Sequence, residues 1–130
     1  MKFRLVLCLV AMAAGAATAV AQEATVTPLM TQDLAGIAGK EGTMVMVEYA
    51  PGGSSAEHRH DAAVFVYVLE GAVVMQVKGG KEVTFGPGQT FYESPEDVHT
   101  VSRNASTTQP AKFLAFYVKE KGAPLTVYAK

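Results

Sequence analysis

From Thr43 onward, glycine, proline and charged residues divide the sequence into short apolar, β-branched and aromatic runs. Runs of four to eight residues with such breaks are typical of short antiparallel strands. They cover Met44–Tyr49, Ala56–His60, Ala63–Leu69, Val73–Val77, Glu82–Phe85, Thr90–Glu93, Val98–Arg103, Lys112–Val118 and Leu125–Tyr128. No sustained helical period follows Gly42. The sequence therefore predicts an all-β, single-domain sandwich or barrel of eight or nine strands.

One break is a specific turn signal. Lys78-Gly79-Gly80-Lys81 separates two of the runs, and paired glycines supply the positive φ angles that tight hairpin turns require. We expect a β-hairpin there.

Two runs, 64–69 and 113–118, are apolar at both odd and even positions. A strand with one face in water would alternate apolar and polar residues, so both faces of these strands are expected to be covered. One cover is the barrel interior. The other is a second copy of the chain or a loop of the same chain, and we expect a homodimer.

His58 and His60 stand two residues apart, just before the run that starts at position 63. A β-strand places residues i and i+2 on one face, so the two imidazoles can hold one ion together. A metal ion is seldom bound by only two imidazole groups. The only other histidine in the sequence, His99, is therefore the candidate third ligand.

The surroundings of the histidine pair have a recognisable spacing. Gly52 is followed by five residues and then by His58-x-His60. Three residues separate His60 from position 64, and six residues separate position 64 from Gly71. This is the spacing of the first cupin motif. The YVLEG ending at Gly71 is also typical of that family.

Gly88 and His99 stand eleven residues apart, at the ends of the second cupin motif. The chain thus resembles a small single-domain cupin over roughly residues 44 to 118. The resemblance implies a jelly-roll β-barrel of six to eight strands. It also implies one divalent metal held by His58, His60 and His99, with the opposite side of the ion open to water or substrate.

The sequence departs from the family pattern at several positions. Val64 stands where most cupins have a glutamate ligand, Ser94 and Glu96 replace the proline and glycine of the second motif, and Asn104 lies one residue further from His99 than usual. The later departures are expected to change only a turn on the barrel rim, whereas Val64 changes the donor set.

Without that glutamate, three neutral imidazoles would leave the charge of a divalent ion uncancelled. Such a site should recruit an anionic ligand such as an enolate, a carboxylate or a thiolate. Glu93 or Gln76 could point inward and replace the missing ligand. Glu57 adjoins the histidine pair but has the wrong strand parity.

Imidazole ligands suit iron, manganese, nickel, zinc and copper, so the ion is not identified. The alternative is a cupin that has lost its metal, in which the histidines are merely packed. Several other residues are weaker candidates for metal ligands, pocket walls or acid–base groups: Met44, Met46, Met75, Phe91, Tyr92, Phe113, Phe116, Asp61, Glu93, Glu96 and Asp97.

The sequence of residues 1–21 predicts export of the protein. The basic start MKFR precedes an apolar stretch at 5–20, and Ala19-Val20-Ala21 forms an A-x-A cleavage site before Gln22. This pattern is typical of a secretory signal peptide, with a single-pass anchor as the alternative. We expect a signal peptide at 1–21, an irregular arm or edge strand at 22–42 and the cupin barrel at 43–130, with the protein periplasmic or secreted.

Removal of residues 1–21 leaves nine basic and twelve acidic residues and no cysteine. This balance does not favour nucleic acid or an anionic membrane surface. Because all three histidines are assigned to the predicted metal site and no cysteine is left, neither a Ser-His-Asp nor a Cys-His arrangement is available.

The sequence therefore predicts an exported, metal-binding cupin that acts on a small organic ligand, as a dioxygenase or an isomerase if it is an enzyme. The alternatives are a non-catalytic module that binds a small ligand or a metal, and a metal-free structural dimer.

Overall fold

The computed structural model describes residues 21–129, so the predicted signal peptide lies outside the described residues except for its last position. Residues 21–129 form ten β-strands and no helix. Their bounds are β1 Thr25–Asp33, β2 Lys40–Tyr49, β3 His58–Arg59, β4 Ala62–Glu70, β5 Val73–Val77, β6 Val83–Phe85, β7 Thr90–Glu93, β8 Val98–Asn104, β9 Ala111–Glu120 and β10 Val127–Tyr128. Over the same range, no helix is long and apolar enough to cross a membrane.

The strands form two five-stranded antiparallel sheets, ordered β1-β2-β9-β4-β7 and β10-β3-β8-β5-β6. Consecutive strands often lie in different sheets, so the chain crosses repeatedly between the two layers. The predicted all-β jelly-roll barrel is confirmed. Strands β5 and β6 form the predicted hairpin, and Gly79 in its turn has a φ of 84°.

For residues 22–42 the sequence left two forms open, an irregular arm and an edge strand. Residues 25–33 take the second form. They form β1, an edge strand paired antiparallel with β2. Pro28 lies next to an irregularity in this pairing, between Pro28 and Met30. Proline lacks an N–H donor and is tolerated at such edge positions. The segment expected as an irregular arm or an edge strand thus extends the first sheet.

Strand β4 shows how the core is built. Val64, Val66 and Val68 point inward and are buried, whereas Phe65 and Tyr67 point outward and are about half exposed. The outer face is therefore as apolar as its sequence indicates. No loop among residues 21–129 covers it, so a homodimer remains a prediction. The core comprises Val45, Val47, Tyr49, Ala62, Val64, Val66, Val68, Val73, Met75, Ala111, Phe113, Ala115 and Tyr117.

The turn between β4 and β5 requires glycine. Gly71 has a φ of 69°, and a Cβ at this position would lie 2.3 Å from the carbonyl oxygen of Pro110. Only glycine accommodates both the positive φ and this close approach. Gly71 thereby lets the chain pass from one sheet to the other immediately beside the start of β9.

Candidate metal centre

Strands β3 and β8 bring the three histidines together. His58 is the direct cross-strand partner of His99, and His60 follows one residue after β3. The ring centroids lie 4.9 Å apart for His58 and His60, 5.1 Å for His58 and His99, and 5.4 Å for His60 and His99. All three side chains are buried. The expected convergence of the rings inside the barrel is present.

Backbone carbonyl groups orient two of the rings. Nδ1 of His58 donates to the carbonyl oxygen of Ala56 at 2.7 Å, and Nδ1 of His60 donates to that of Leu125 at 2.5 Å. A carbonyl oxygen only accepts, so in both rings the proton belongs on Nδ1 and the lone pair on Nε2. Histidines that bind metals commonly have this arrangement.

His99 has no such support. It is 2 % exposed, and neither Nδ1 nor Nε2 has a hydrogen-bond partner within residues 21–129. An unpaired buried polar group costs about 1–3 kcal/mol, so it calls for an explanation such as an ion or a functional role. The lone pair of His99 is free to bind a cation.

A fourth group, Glu93, joins the cluster from the end of β7. Its Oε2 lies 3.4 Å from Nε2 of His60 and 3.6 Å from Nε2 of His99. Its side chain is buried, and its direct cross-strand partner is Val64. The carboxylate that position 64 lacks is therefore supplied by the facing residue of the next strand.

The other two candidates for this replacement do not reach the cluster. Gln76 donates from Nε2 to the carbonyl oxygen of Gly80 in the hairpin, and Glu57 is exposed. Of the three carboxylate or amide candidates considered from the sequence, only Glu93 faces the imidazoles.

Burial sets the protonation of the cluster. Removal from water raises the pKa of the Glu93 carboxyl to about 8, with a further contribution from the charge of Asp97. Burial lowers the pKa of His60 to about 4, an effect to which His58 adds. It also lowers the pKa of His99 to about 4, again with help from the neighbouring histidines. At pH 7 these groups are mostly uncharged, so the contacts of Glu93 with the rings join neutral groups rather than ions.

The donor set fits a divalent transition metal. The ligand atoms of His60, Glu93 and His99 all lie within 4.8 Å of one another. His58 is not part of this closest group; its ring stacks on that of His99 at an interplanar angle of 24°. A bound cation would replace the Glu93 proton and give His99 the partner that it lacks. His58 as a ligand remains a prediction.

A cavity of about 110 Å³ opens beside His58, His60 and Glu93. Its apolar wall includes Val47, Val66, Phe113 and Ala115. A closed cavity of about 150 Å³ holds benzene. This space therefore fits a molecule of a few heavy atoms, or one end of a longer molecule that enters through the mouth.

A group of hydroxyls lines another side of the cavity. Oη of Tyr49 lies 2.7 Å from Oγ of Ser55 and 2.8 Å from Oγ of Ser102. Oγ of Ser102 donates to Sδ of Met75 at 3.3 Å. Burial raises the pKa of Tyr49, so its hydroxyl stays protonated. The cavity thus has a polar wall as well as an apolar one.

Tyr117 connects this cavity to the candidate ligands. It is the cross-strand partner of Val64 on the side opposite Glu93, and its ring meets that of His60 edge-on, with centroids 5.2 Å apart. Burial, together with the nearby Glu93 carboxyl, raises the pKa of the phenol. Tyr117 is therefore a protonated hydroxyl group beside the cluster.

The structure separates the weaker sequence candidates. Phe113 and Met75 line the cavity, and Phe91 packs on Phe85 with ring centroids 4.5 Å apart. Asp61 is exposed and paired with Arg59. Glu96 is exposed, and Asp97 accepts from the backbone N–H of Ser94 in the rim turn. Four candidates lie on outward-facing positions of the first sheet: Met44, Met46, Tyr92 and Phe116.

No spaced motif in the sequence includes Tyr49, Ser55, Ser102 or Tyr117, so motif spacing could not single them out. Only the register of β4 and β9 shows that Tyr117 lies beside Val64. The one available clue was that Tyr117 occupies an inward-facing position of the run 113–118. Phe113 and Ala115 occupy inward-facing positions as well, so this clue did not single out Tyr117.

Two comparisons concern the sequence as a whole. The family model described as a cupin domain matches residues 45–117, which is more than half of the chain. A search of curated proteins gives no match.

Solved structures share the fold. The polyketide cyclase RemF from Streptomyces resistomycificus is 24% identical, with a TM-score of 0.63 over 85% of this chain and 75% of that one. A cupin-2 domain protein from Rhodospirillum rubrum is 20% identical, with a TM-score of 0.64 over 84% and 67%. The DMSP lyase DddQ from Ruegeria pomeroyi is 18% identical, with a TM-score of 0.59 over 68% and 43%, so this chain spans less than half of that lyase. At these identities the likeness concerns the fold alone.

Proposed function

Because this chain belongs to the cupin family, we propose that it holds one divalent transition metal and acts on a small, oxygen-bearing organic molecule. One observation carries the proposal. Nε2 of His60, Nε2 of His99 and Oε2 of Glu93 converge in a buried cluster, and two of its members, His60 and Glu93, line an open cavity. These residues would hold the ion, with His58 as a further donor. A divalent ion held there supplies Lewis acidity toward a substrate oxygen.

Charge and size define the substrate class. A divalent cation with one carboxylate keeps a net positive charge, which favours an anionic or enolisable substrate such as a hydroxy acid, a keto acid or a β-diketone. The cavity of about 110 Å³ admits a molecule of a few heavy atoms, or one end of a longer molecule. Dioxygen insertion and isomerisation are the reaction classes that we propose for such a substrate.

Residues of the chain would position the substrate. Tyr117 stays protonated and can donate a hydrogen bond to a substrate oxygen beside His60. The hydroxyls of Tyr49, Ser55 and Ser102 offer donors and acceptors on another wall. The apolar wall keeps water from the reacting end of the molecule.

We also propose that the protein acts in the periplasm or outside the cell. This rests on the basic start, the apolar stretch and the A-x-A site at 1–21. Detection of a mature N-terminus at Gln22 in the exported fraction would support it, and retention of residues 1–21 on cytoplasmic protein would contradict it.

The metal is tested first. Untagged protein purified without chelator should contain close to one metal ion per chain by elemental analysis, and His99→Ala should remove it. His60→Ala should behave alike, whereas exchange of the exposed Glu57 for Ala is the matched control and should leave the metal in place. Wild-type protein without metal that also fails to bind added iron, manganese, nickel, zinc or copper would contradict the proposal.

Turnover is tested next on the loaded protein. A panel of small hydroxy acids, keto acids, β-diketones, catechols and thiols is followed by oxygen consumption and by NMR. Tyr117→Phe should keep the metal but slow turnover or weaken ligand binding. A ligand that raises the melting temperature of the loaded protein without being converted would instead identify a binding module.

A further inference from the structure

The outer face of the first sheet has an unusual order. A single cross-strand row crosses all five strands at register positions that face away from the core. Its members, in strand order, are Met30, Met44, Phe116, Phe65 and Tyr92. The two at the β4–β7 end are 54 % exposed each, and their ring centroids lie 5.2 Å apart. We call these five residues the central row.

Charges lie on both sides of the central row at equal distances. Four residues away in one direction, Lys40 on β2 pairs with Glu120 on β9. Four residues away in the other direction, Glu48 on β2 pairs with Lys112 on β9. At about 3.4 Å per residue, each charged pair lies roughly 14 Å from the row. Strand β2 therefore has a positive charge at one end and a negative charge at the other. Strand β9 has the same two charges in the reverse order.

We propose that this face packs against the same face of a second copy of the chain, around a two-fold axis that runs along the central row. Such an axis reverses the strand direction between the copies. It therefore sets Lys40 opposite the partner's Glu48, and Glu120 opposite the partner's Lys112. On β4 the same operation places the partner's Tyr67 over Ala63, a large side chain over a small one.

The charges also exclude the obvious alternative axis. An axis parallel to the strands and centred on β9, the middle strand of the sheet, would set Glu120 against the partner's Glu120. It would likewise set Lys112 against the partner's Lys112. Like charges face to face are unfavourable, so the pattern selects the axis along the central row.

The face is large enough for a stable dimer. Four strands of nine or ten residues and one of four residues, about 4.8 Å apart, present a surface of roughly 700 Å². A standard interface buries about 800 Å² per partner. An apolar centre with a polar rim is also the usual composition of such a surface. A second copy thus accounts for the half-exposed aromatic residues of β4 and β7.

The interface is tested by measuring mass in solution. By analytical ultracentrifugation, the wild-type protein from the exported fraction should have twice the chain mass over the micromolar range. Phe65→Asp should raise the dimer dissociation constant by about a hundredfold or more, because it buries a carboxylate in the apolar centre. Val83→Asp is the matched control, since Val83 is a similarly exposed apolar residue on β6 of the other sheet, and it should remain dimeric.

The symmetry is tested by reversing all four charges together, as Lys40→Glu, Glu48→Lys, Lys112→Glu and Glu120→Lys. The ion pairs within each chain and across each homodimer are then preserved, so the variant should form dimers when it is on its own. When it is mixed with wild type, every ion pair across the interface would join like charges. Native mass spectrometry should find mixed dimers well below the statistical half.

Three results would overturn the proposal. A monomeric wild-type chain would refute the interface, and equal loss of dimer in Phe65→Asp and Val83→Asp would place it elsewhere. A statistical share of mixed dimers would refute the axis. Circular dichroism of each variant distinguishes loss of the dimer from loss of the fold.

Discussion

Glu93 on β7 faces Val64 on β4 as its direct cross-strand partner, and its Oε2 lies 3.4 Å from Nε2 of His60. Most cupins carry the carboxylate ligand at the position of Val64. The facing position on the neighbouring strand lies on the same inward face, about 4.8 Å away. A carboxylate can thus be exchanged across a strand pair and still reach the same cluster.

This relationship leads to a swap experiment. Glu93→Val should weaken metal binding by more than the roughly 10- to 100-fold that loss of an outer-shell partner costs, since it removes a donor itself. The double variant Glu93→Val with Val64→Glu should recover most of the affinity, because the carboxylate returns to the same point from the other strand. Metal affinity by competition with a chromogenic chelator is the measurement. Failure of the double variant to exceed the single one, while still folded, would show that Glu93 does not occupy the ligand position.

His99 gives a prediction about stability. Its two ring nitrogens are buried and unpaired within residues 21–129, which costs about 1–3 kcal/mol in the metal-free protein. His99→Leu has a similar volume and no polar atom, so the metal-free variant should unfold at the same or a higher urea concentration than the metal-free wild type. Added metal should stabilise only the wild type. A large loss of stability in the metal-free variant would contradict this account of His99.

The buried cluster also predicts how the stability of the metal-free protein depends on pH. The pKa values of His60 and His99 fall from 6.5 to about 4 on folding. Between pH 6.5 and 4 the unfolded chain binds more protons at these sites, so they cost stability as the pH falls. The pKa of Glu93 rises from 4.5 to about 8. The folded chain therefore binds more protons there between pH 4.5 and 8, and this stabilisation is lost as the pH rises.

The two effects combine into an optimum. From pH 8 down to 6.5 only Glu93 contributes, so stability should increase. Below 6.5 the two histidines outweigh it, so stability should decrease. Urea unfolding of metal-free protein between pH 4 and 8 should show a maximum near pH 6.5. Glu93→Gln should flatten the alkaline side and steepen the acid side, because Glu93 also offsets part of the histidine effect between pH 4.5 and 6.5. An unchanged alkaline slope in that variant would contradict the assignment.

Gly71 gives a prediction that is independent of the metal. Gly71→Ala places a Cβ at 2.3 Å from the carbonyl oxygen of Pro110 in a backbone with a φ of 69°. Gly52→Ala is the matched control, because its φ of 72° is similar but nothing lies within 4 Å. The control should cost about 1–2 kcal/mol for the positive φ alone, and Gly71→Ala should cost clearly more. Equal losses in chemical denaturation would show that the contact with Pro110 relaxes freely.

Much of the fold follows from local patterns. The runs Val73–Val77 and Thr90–Glu93 coincide with β5 and β7, because alternating burial and glycine breaks are properties of a single strand. The histidine pair was predictable for the same reason, since i and i+2 always share a face. The strand β1 was left open because Pro28 interrupts it, and an edge strand tolerates what a central strand does not.

The rest depends on register between strands that are remote in sequence. Parity shows that Phe91 and Glu93 both face inward, but only the β4–β7 pairing shows which of them meets Val64. In the same way, only the β4–β9 pairing shows that Tyr117 lies beside Val64. Register is set by turns and by the packing of the whole sheet rather than by the residues concerned, so single-sequence reasoning could name Glu93 only as one option among several.

The carbonyl group of Leu125 orients His60 across 65 positions of sequence. The candidate metal site therefore cannot be preassembled on a nascent segment, because its geometry is complete only when residues from β3 to the segment before β10 are folded together. Ion capture would accompany the final stage of folding. If the chain is exported unfolded, as proposed from residues 1–21, and binds a metal at this cluster, the ion would reflect the metal supply of the destination compartment rather than that of the compartment of synthesis.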